Sequence, residues 1–335
     1  MGGRGLVLAV VLLLAGCGAR DDSAPFTDSR IPPALGPADF PPIGWTWGLI
    51  QTGKDEPAQR YGVAAAATIP RAQVLVLPGY GDFAEAHYRQ LITFVGRYYV
   101  SWTLDGAGQG GSGRKAGPRD LGHVDSFEPD IDAVGAMARQ TIRPAAGTPL
   151  VLVAEGTAAP VALAAVERDA SGVAGLILLR PSLRRPSTLD SRVSDWAARL
   201  HLGFIRAPGG SGWVHDAKTP DNRTDAGRRL AWQEANPDLR MGDPSLGWLA
   251  AFDVLTAQTK AGGGRGVPVP VLVLGSGAAA DGDWSGLCRR LPRCSFERAP
   301  ADATTREVSF IETFVAKDAP TPHPIGALSN DDPQR

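Results

Sequence analysis

The sequence predicts an α/β fold: a mostly parallel central sheet with helices on both faces, carrying a helical cap inserted late in the chain. Three observations lead there. Short apolar runs bounded by turn residues, at 73–77, 98–104, 150–154, 173–179 and 269–274, alternate with stretches of helical spacing at 84–96, 126–139 and 158–168. Runs that are apolar throughout, rather than at every second residue, suit strands covered on both faces, and such strands are mostly parallel ones linked by helices. The alternation then stops across 181–266, a stretch that holds Trp196, Trp213, Trp232 and Trp248 and two helical patterns at 225–235 and 246–256. Because the strand pattern resumes at 269, this stretch reads as a cap above the sheet rather than as a second domain.

The remaining elements follow in order. Residues 45–51 and 60–69 read as two strands joined by the polar turn Gly53-Lys54-Asp55, an antiparallel edge to the sheet. After the cap, 283–291 has helical spacing, 295–298 is short enough for a last strand, and 304–317 is the last helix. The core therefore comprises 45–180 and 267–317, and the polar, Pro-containing stretch 318–335 reads as a disordered tail. At 43% apolar and 21% charged residues the chain can bury a sizeable core. A formal net charge of -1 gives no basic surplus for nucleic acid and no acidic surplus for disorder.

The first residues stand outside the fold. Arg4 supplies a positive start, and Leu6 to Leu14 is too short an apolar stretch to span a bilayer, which takes roughly 20 residues. Leu14-Ala15-Gly16-Cys17 resembles the bacterial lipobox. The resemblance implies a signal peptide over 1–16, lipidation of Cys17 and a membrane anchor at the cell envelope, facing the periplasm. Gly18 rather than Asp after the cysteine favours the outer membrane. Residues 17–44, polar and Pro-rich without periodicity, then read as a tether. In that oxidising compartment the remaining pair, Cys288 and Cys294, reads as a disulfide.

Several motifs, in this order, carry a family resemblance: Leu77-Pro78-Gly79-Tyr80-Gly81, the stretch Leu104-Asp105-Gly106-Ala107-Gly108-Gln109-Gly110-Gly111-Ser112-Gly113, then Gly122-His123-Val124-Asp125, and Gly242-Asp243-Pro244-Ser245 in the cap. Together with the order of elements, the chain from 45 to 317 resembles the α/β-hydrolase superfamily, in its lysophospholipase and monoacylglycerol-lipase branch of serine aminopeptidase S33 type. The resemblance implies an α/β-hydrolase fold and ester hydrolysis by a Ser-His-Asp triad without a cofactor.

The triad positions hold other residues. The nucleophile of this fold stands on a sharp strand-to-helix turn in a G-x-S-x-G context. Here Val151-Leu152-Val153 runs into Ala154-Glu155-Gly156-Thr157-Ala158, which puts Gly156 at the nucleophile position. Ala279 falls at the position of the acid, with Asp281 and Asp283 as shifted candidates. The loop after the last strand, Ala299-Pro300-Ala301-Asp302-Ala303-Thr304, contains no histidine, and the only later one, His323, lies in the tail. Loss of the nucleophile alone costs a serine protease a factor of about 10⁶ in turnover. The backbone N–H groups of Tyr80 and Thr157 remain as candidates for an oxyanion hole.

Glu155, beside the empty position, reads as a solvent-facing or helix-capping carboxylate, or else as a displaced acid or base. Thr157 points away from the cleft in such a turn. Gly106-x-Gly108-x-x-Gly111 is followed by Arg114-Lys115-Ala116-Gly117-Pro118, which breaks the helix a dinucleotide site needs. Ser112 and Ser276 read as turn formers, and His87 and His123 lack partners at ligand spacing, so no metal is expected. The expectation is a lipid-anchored pseudoenzyme binding a lipid, an acyl chain or a protein partner. The alternatives are an ester hydrolase with relocated groups, using Glu155 or Asp281, and a scaffold with a collapsed pocket.

Overall fold

The computed structural model describes residues 23–115, 117–215, 221–277 and 281–316. Cys17, Ala279, His323 and the tail lie outside them. Eight strands form one sheet in the order β1-β2-β4-β3-β5-β6-β7-β8. They are β1 (Thr46–Ile50), β2 (Gln59–Ala64), β3 (Ala72–Leu77), β4 (Tyr99–Leu104), β5 (Leu150–Glu155), β6 (Val173–Leu179), β7 (Val271–Gly275) and β8 (Cys294–Arg298). Strands β1 and β2 pair antiparallel with each other, and β2 pairs antiparallel with β4; all other pairings are parallel. This is the α/β-hydrolase fold.

Alternation along β5 shows why its sequence is apolar throughout. Leu150, Leu152 and Ala154 enter one core layer, with Ile131 and Val134 of α2 (Glu128–Ala136), Val161 and Leu163 of α3 (Ala159–Arg168), and Trp284 of α7 (Asp281–Cys288). Val151 and Val153 enter the opposite layer, with Leu91 and Phe94 of α1 (Tyr88–Gly96) and Val308 and Ile311 of α8 (Ala303–Glu312). The cap carries α4 (Ser191–Arg199), α5 (Asp225–Ala235) and α6 (Leu246–Ala261). It is bound to both layers: Trp232 of α5 is buried against the Tyr88 ring, and Leu255 of α6 joins the α2–α3 layer. A disulfide joins Cys288 at the end of α7 to Cys294 at the start of β8, with Cα atoms 5.3 Å apart.

One expectation needs correction. From Ser23 onward the stretch read as a tether is packed on the core. Phe26 and Leu35 are buried, the Phe26 N–H donates to the Gly111 carbonyl at 2.7 Å, and Asp39 pairs with Arg89 at 2.5 Å. The segment uses isolated anchors separated by prolines, so it leaves no periodic signature.

A buried ion network fixes the loop that leads from β3 into α1. The Arg60 guanidinium, from β2, grips both oxygens of Glu85 at 2.8 Å and Oδ2 of Asp105 at 2.6 Å, and all three side chains are fully buried. Asp105 Oδ1 also accepts from the Ala84 N–H at 2.9 Å. The short 3-10 turn Ala84–His87 is thereby held from two sides, which sets the position of His87.

Candidate functional site

Strand β5 ends at Glu155 and turns through a 3-10 segment, Gly156–Ala158, into α3. Gly156 stands at the tip with φ +55°, the left-handed region that glycine enters without strain. A Cβ built there meets nothing within 4 Å. The backbone thus turns sharply at Gly156, with room for a side chain the sequence does not supply.

The backbone donors expected for an oxyanion hole are not both free. Thr157 Oγ1 accepts from the Tyr80 N–H at 2.7 Å, so the threonine hydroxyl occupies that donor. The two segments lie very close: a Cβ on Gly79 would fall 2.9 Å from the Glu155 carbonyl oxygen. Through that bond Thr157 ties the turn to the β3 loop, and its side chain borders the smaller of the two cavities beside the turn instead of pointing away from the cleft.

Two cavities flank the turn. On the α2–α3 side a cavity of about 30 Å³, lined by Leu77, Leu104, Phe127, Val161, Thr157 and Trp248, holds a water or two and no acyl chain. Aromatic rings narrow it: Trp248 stacks on Phe252 at 4.9 Å and meets Tyr80 at 4.7 Å and Phe127 at 5.5 Å.

On the α1–α8 side lies a charged cleft of about 410 Å³. Asp82, His87 and Gln90 border it from the β3–α1 segment, Glu155 and Arg180 from the ends of β5 and β6, Arg229 from α5, and Ala301 to Thr305 with Glu307 from the α8 end. His87 Nε2–H donates to Asp82 Oδ2 at 2.9 Å and Nδ1–H to Gln90 Oε1 at 3.2 Å. Gln90 Nε2 in turn donates to Glu307 Oε2 at 2.7 Å. Burial alone would lower the imidazole, but the Asp82 carboxylate outweighs it and lifts His87 to about 9. Burial resists ionisation of Asp82, yet His87 and Arg229 hold it below its ordinary value. Burial raises Glu155 despite His87 and Arg180, and lifts Glu307 to about 7.

The reading of His87 is therefore corrected. Its carboxylate partners come from the preceding loop and from β5, and ligand atoms of Asp82, His87 and Glu155 all lie within 4.8 Å of one another. His123 is structural, as expected: Nδ1 is hydrogen-bonded at 2.9 Å to Ser245, which caps α6. Asp281 is not a free acid, because it accepts from the N–H groups of Ser276 at 3.0 Å and Gly277 at 2.5 Å. Asp283 pairs with Lys260 at the surface, and neither aspartate borders the cleft. Ser112 is fully buried, its hydroxyl donating to the Asp105 carbonyl at 2.8 Å, which makes it a turn former. Glu155 faces the cleft, paired to Arg180 at 3.3 Å, and caps nothing.

Sequence reasoning did not find Asp82, Glu307 or Gln90. For Asp82 a signal existed: it follows β3 at the carboxyl edge of a parallel sheet, where clefts of such folds form. Glu307 had none, since only packing of α8 brings it to residues more than 150 positions earlier.

Residues 68–281 match the model of the serine aminopeptidase S33 family. Lysophospholipase L2 of Escherichia coli K12 is 25% identical over 170 residues, 48% of this chain and 50% of the relative. The chain thus spans about half the length of the curated relatives it matches. Among solved structures it is similar to a lipase in open form, with TM-score 0.66 and 14% identity over 82% of this chain and all of the other. It is also similar to a soluble variant of Saccharomyces cerevisiae monoglyceride lipase, with TM-score 0.61 and 14% identity over 80% and 96% of the two chains. A carboxyl esterase from Bacillus coagulans gives TM-score 0.64 and 14% identity over 82% and 100%.

Proposed function

Since the chain belongs to the serine aminopeptidase S33 family, we propose that it is a member that has lost the serine chemistry, is held at the bacterial envelope by an acylated Cys17, and meets lipid through its cap. One observation carries the loss of chemistry: a glycine at the tip of the β5–α3 turn, φ +55°, where the turn has room for a nucleophile and no side chain provides one. The loop at 301–304 adds no histidine, and the Tyr80 amide is already bonded.

We assign lipid contact to the outer face of the cap because the cavity beside Gly156, lined by Trp248 and Phe127, is too small for an acyl chain. Around α4, by contrast, Trp196, Leu200, Phe204 and Ile205 are all exposed, next to Arg192 and Arg199. An apolar face flanked by cations suits the interface of an anionic bilayer. The lipobox supports the anchor, and mass spectrometry of the native N-terminus tests it: an unmodified start elsewhere than Cys17 removes the anchor from the proposal.

The chemistry is tested by a serine-directed fluorophosphonate and by lysophospholipid and short-chain ester turnover. No labelling and no turnover above a buffer control is the expected outcome. Labelling that maps to a serine of this chain refutes the proposal. A second reading, hydrolysis by relocated groups, is favoured by the Asp82–His87 pair beside Glu155. Ester turnover that disappears in His87→Ala, without fluorophosphonate labelling, selects it.

A further inference from the structure

We propose that the charged cleft is a binding site for one divalent transition-metal ion, Zn²⁺ or Mn²⁺, held by Asp82, His87 and Glu155 with Glu307 as a fourth donor. This goes beyond the family resemblance, which implies no cofactor, and it holds whether or not the chain turns over esters.

The first observation is the donor set. One imidazole and two carboxylates converge from the β3–α1 segment and the end of β5, their ligand atoms within 4.8 Å of one another. Ligands at about 2.1 Å from an ion stand roughly 3.0–4.3 Å apart, so binding draws the widest pair of this set in by roughly 0.5–1.8 Å. A mixed nitrogen and oxygen set favours Zn²⁺ or Mn²⁺ over Ca²⁺ or Mg²⁺.

The second observation is independent and concerns Glu307. It is fully buried, it borders the cleft, and Oε1 has no hydrogen-bond partner among the described residues. A carboxylate oxygen left bare in a low-dielectric wall is costly, and an ion in the cleft satisfies it.

The third is the orientation of the donors. His87 Nδ1–H is engaged by Gln90 Oε1 at 3.2 Å, which leaves Nε2 as the metal-facing nitrogen. The same Gln90 amide binds Glu307 Oε2 at 2.7 Å, leaving Oε1 buried in the cleft wall without a partner among the described residues. Asp82 spends Oδ1 on the Phe83 N–H at 3.0 Å and turns Oδ2 to His87 Nε2 at 2.9 Å. Glu155 Oε1 pairs with Arg180 at 3.3 Å. The Nε2 proton now shared by His87 and Asp82 is the one an ion displaces, released to solvent on binding. Arg180 and Arg229, the latter 4.0 Å from Asp82, border the site and offset part of its negative charge.

The experiment titrates the full chain, freed of any affinity tag and of metal, with Zn²⁺ against a competing fluorescent chelator and with Mn²⁺ by loss of the free-ion electron paramagnetic resonance signal. Saturable one-to-one binding with Kd below about 0.1 mM is expected. Glu155→Gln and Glu307→Gln, near-isosteric and checked for an unchanged circular dichroism spectrum, should each weaken binding at least about tenfold, and Gln90→Leu should weaken it about 10–100-fold through its hold on His87 and Glu307. His87→Ala should abolish it. Absence of saturable binding of either ion overturns the proposal, and so does binding that these four substitutions leave unchanged. Neither measurement reads ester turnover, so the result is separate from the test of lost serine chemistry.

Discussion

The two sides of the Gly156 turn have been treated differently. On the α2–α3 side the space is filled by Trp248, Phe127, Phe252 and Tyr80, down to about 30 Å³. On the α1–α8 side about 410 Å³ stays open among charged groups, several of them buried. Filling a cavity with aromatic rings stabilises a fold at no cost in specificity of chemistry. Keeping Asp82, Glu155 and Glu307 near one another in a wall of low dielectric does the reverse. Stability accounts for the first side and not for the second, so the charged side is where a retained role belongs.

The largest expected effect tests what holds that side in place. Arg60 neutralises Glu85 and Asp105 where all three are fully buried, and through Glu85 it fixes the turn that carries His87. Arg60→Met leaves two carboxylates without a cation and should cost about 3–5 kcal/mol in urea unfolding. Replacing Glu85 and Asp105 by their amides in the same chain should recover much of that loss. If the single substitution costs under about 1 kcal/mol, the charged side is not held by this network.

A smaller effect is expected on the aromatic side, from the one carboxyl that borders its cavity. Asp130 Oδ1 accepts from the Ala107 N–H at 2.8 Å, Oδ2 has no partner among the described residues, and burial lifts the group to about 7. The folded state therefore binds this proton more tightly than the unfolded chain does. That contribution is complete below about pH 4 and is lost as pH rises through 7. Asp130→Asn keeps the acceptor and removes the titration. Relative to wild type, the variant should gain on the order of 2–4 kcal/mol between pH 4 and 8. An equal difference at both pH values would show that Asp130 is ionised in the folded protein, and the contrast between the two sides would weaken.

Local pattern carried most of the fold. Strand β6 and helix α5 fall where the apolar run and the helical spacing put them, at Val173–Leu179 and Asp225–Ala235. Helix α4 was missed although Val193, Trp196, Ala197 and Leu200 recur at helical spacing; in the fold most of that apolar stripe faces outward. The antiparallel edge was legible, but β2 ends at Ala64, short of the 60–69 stretch that the residue pattern suggests. At the site, Gly156 and Glu155 were legible because they sit at a fixed offset from an apolar strand. The Asp82–His87–Glu307 constellation was not, because Glu307 arrives from α8 through packing alone and Gln90 links it to His87 by hydrogen bonds that no spacing encodes.

The smallest expected effect bears on the turn itself. Gly156→Ser places a hydroxyl where a Cβ meets nothing within 4 Å, so sterics do not oppose it. The backbone does: φ +55° strains a residue with a Cβ, and the variant should lose about 1–2 kcal/mol, read as a lower melting temperature. It should still be inert. A serine hydroxyl at its ordinary pKa is a poor nucleophile until a hydrogen-bonded base takes its proton. The loop at 301–304 has no histidine to do so, and His87 donates both ring N–H groups, to Asp82 and Gln90, so it has no lone pair to offer. Ester turnover and fluorophosphonate labelling of the purified variant decide between the two sides. Robust activity would mean that His87 can release a proton and reach across to the turn, which would turn the charged cleft from a binding site into the surviving half of a hydrolase.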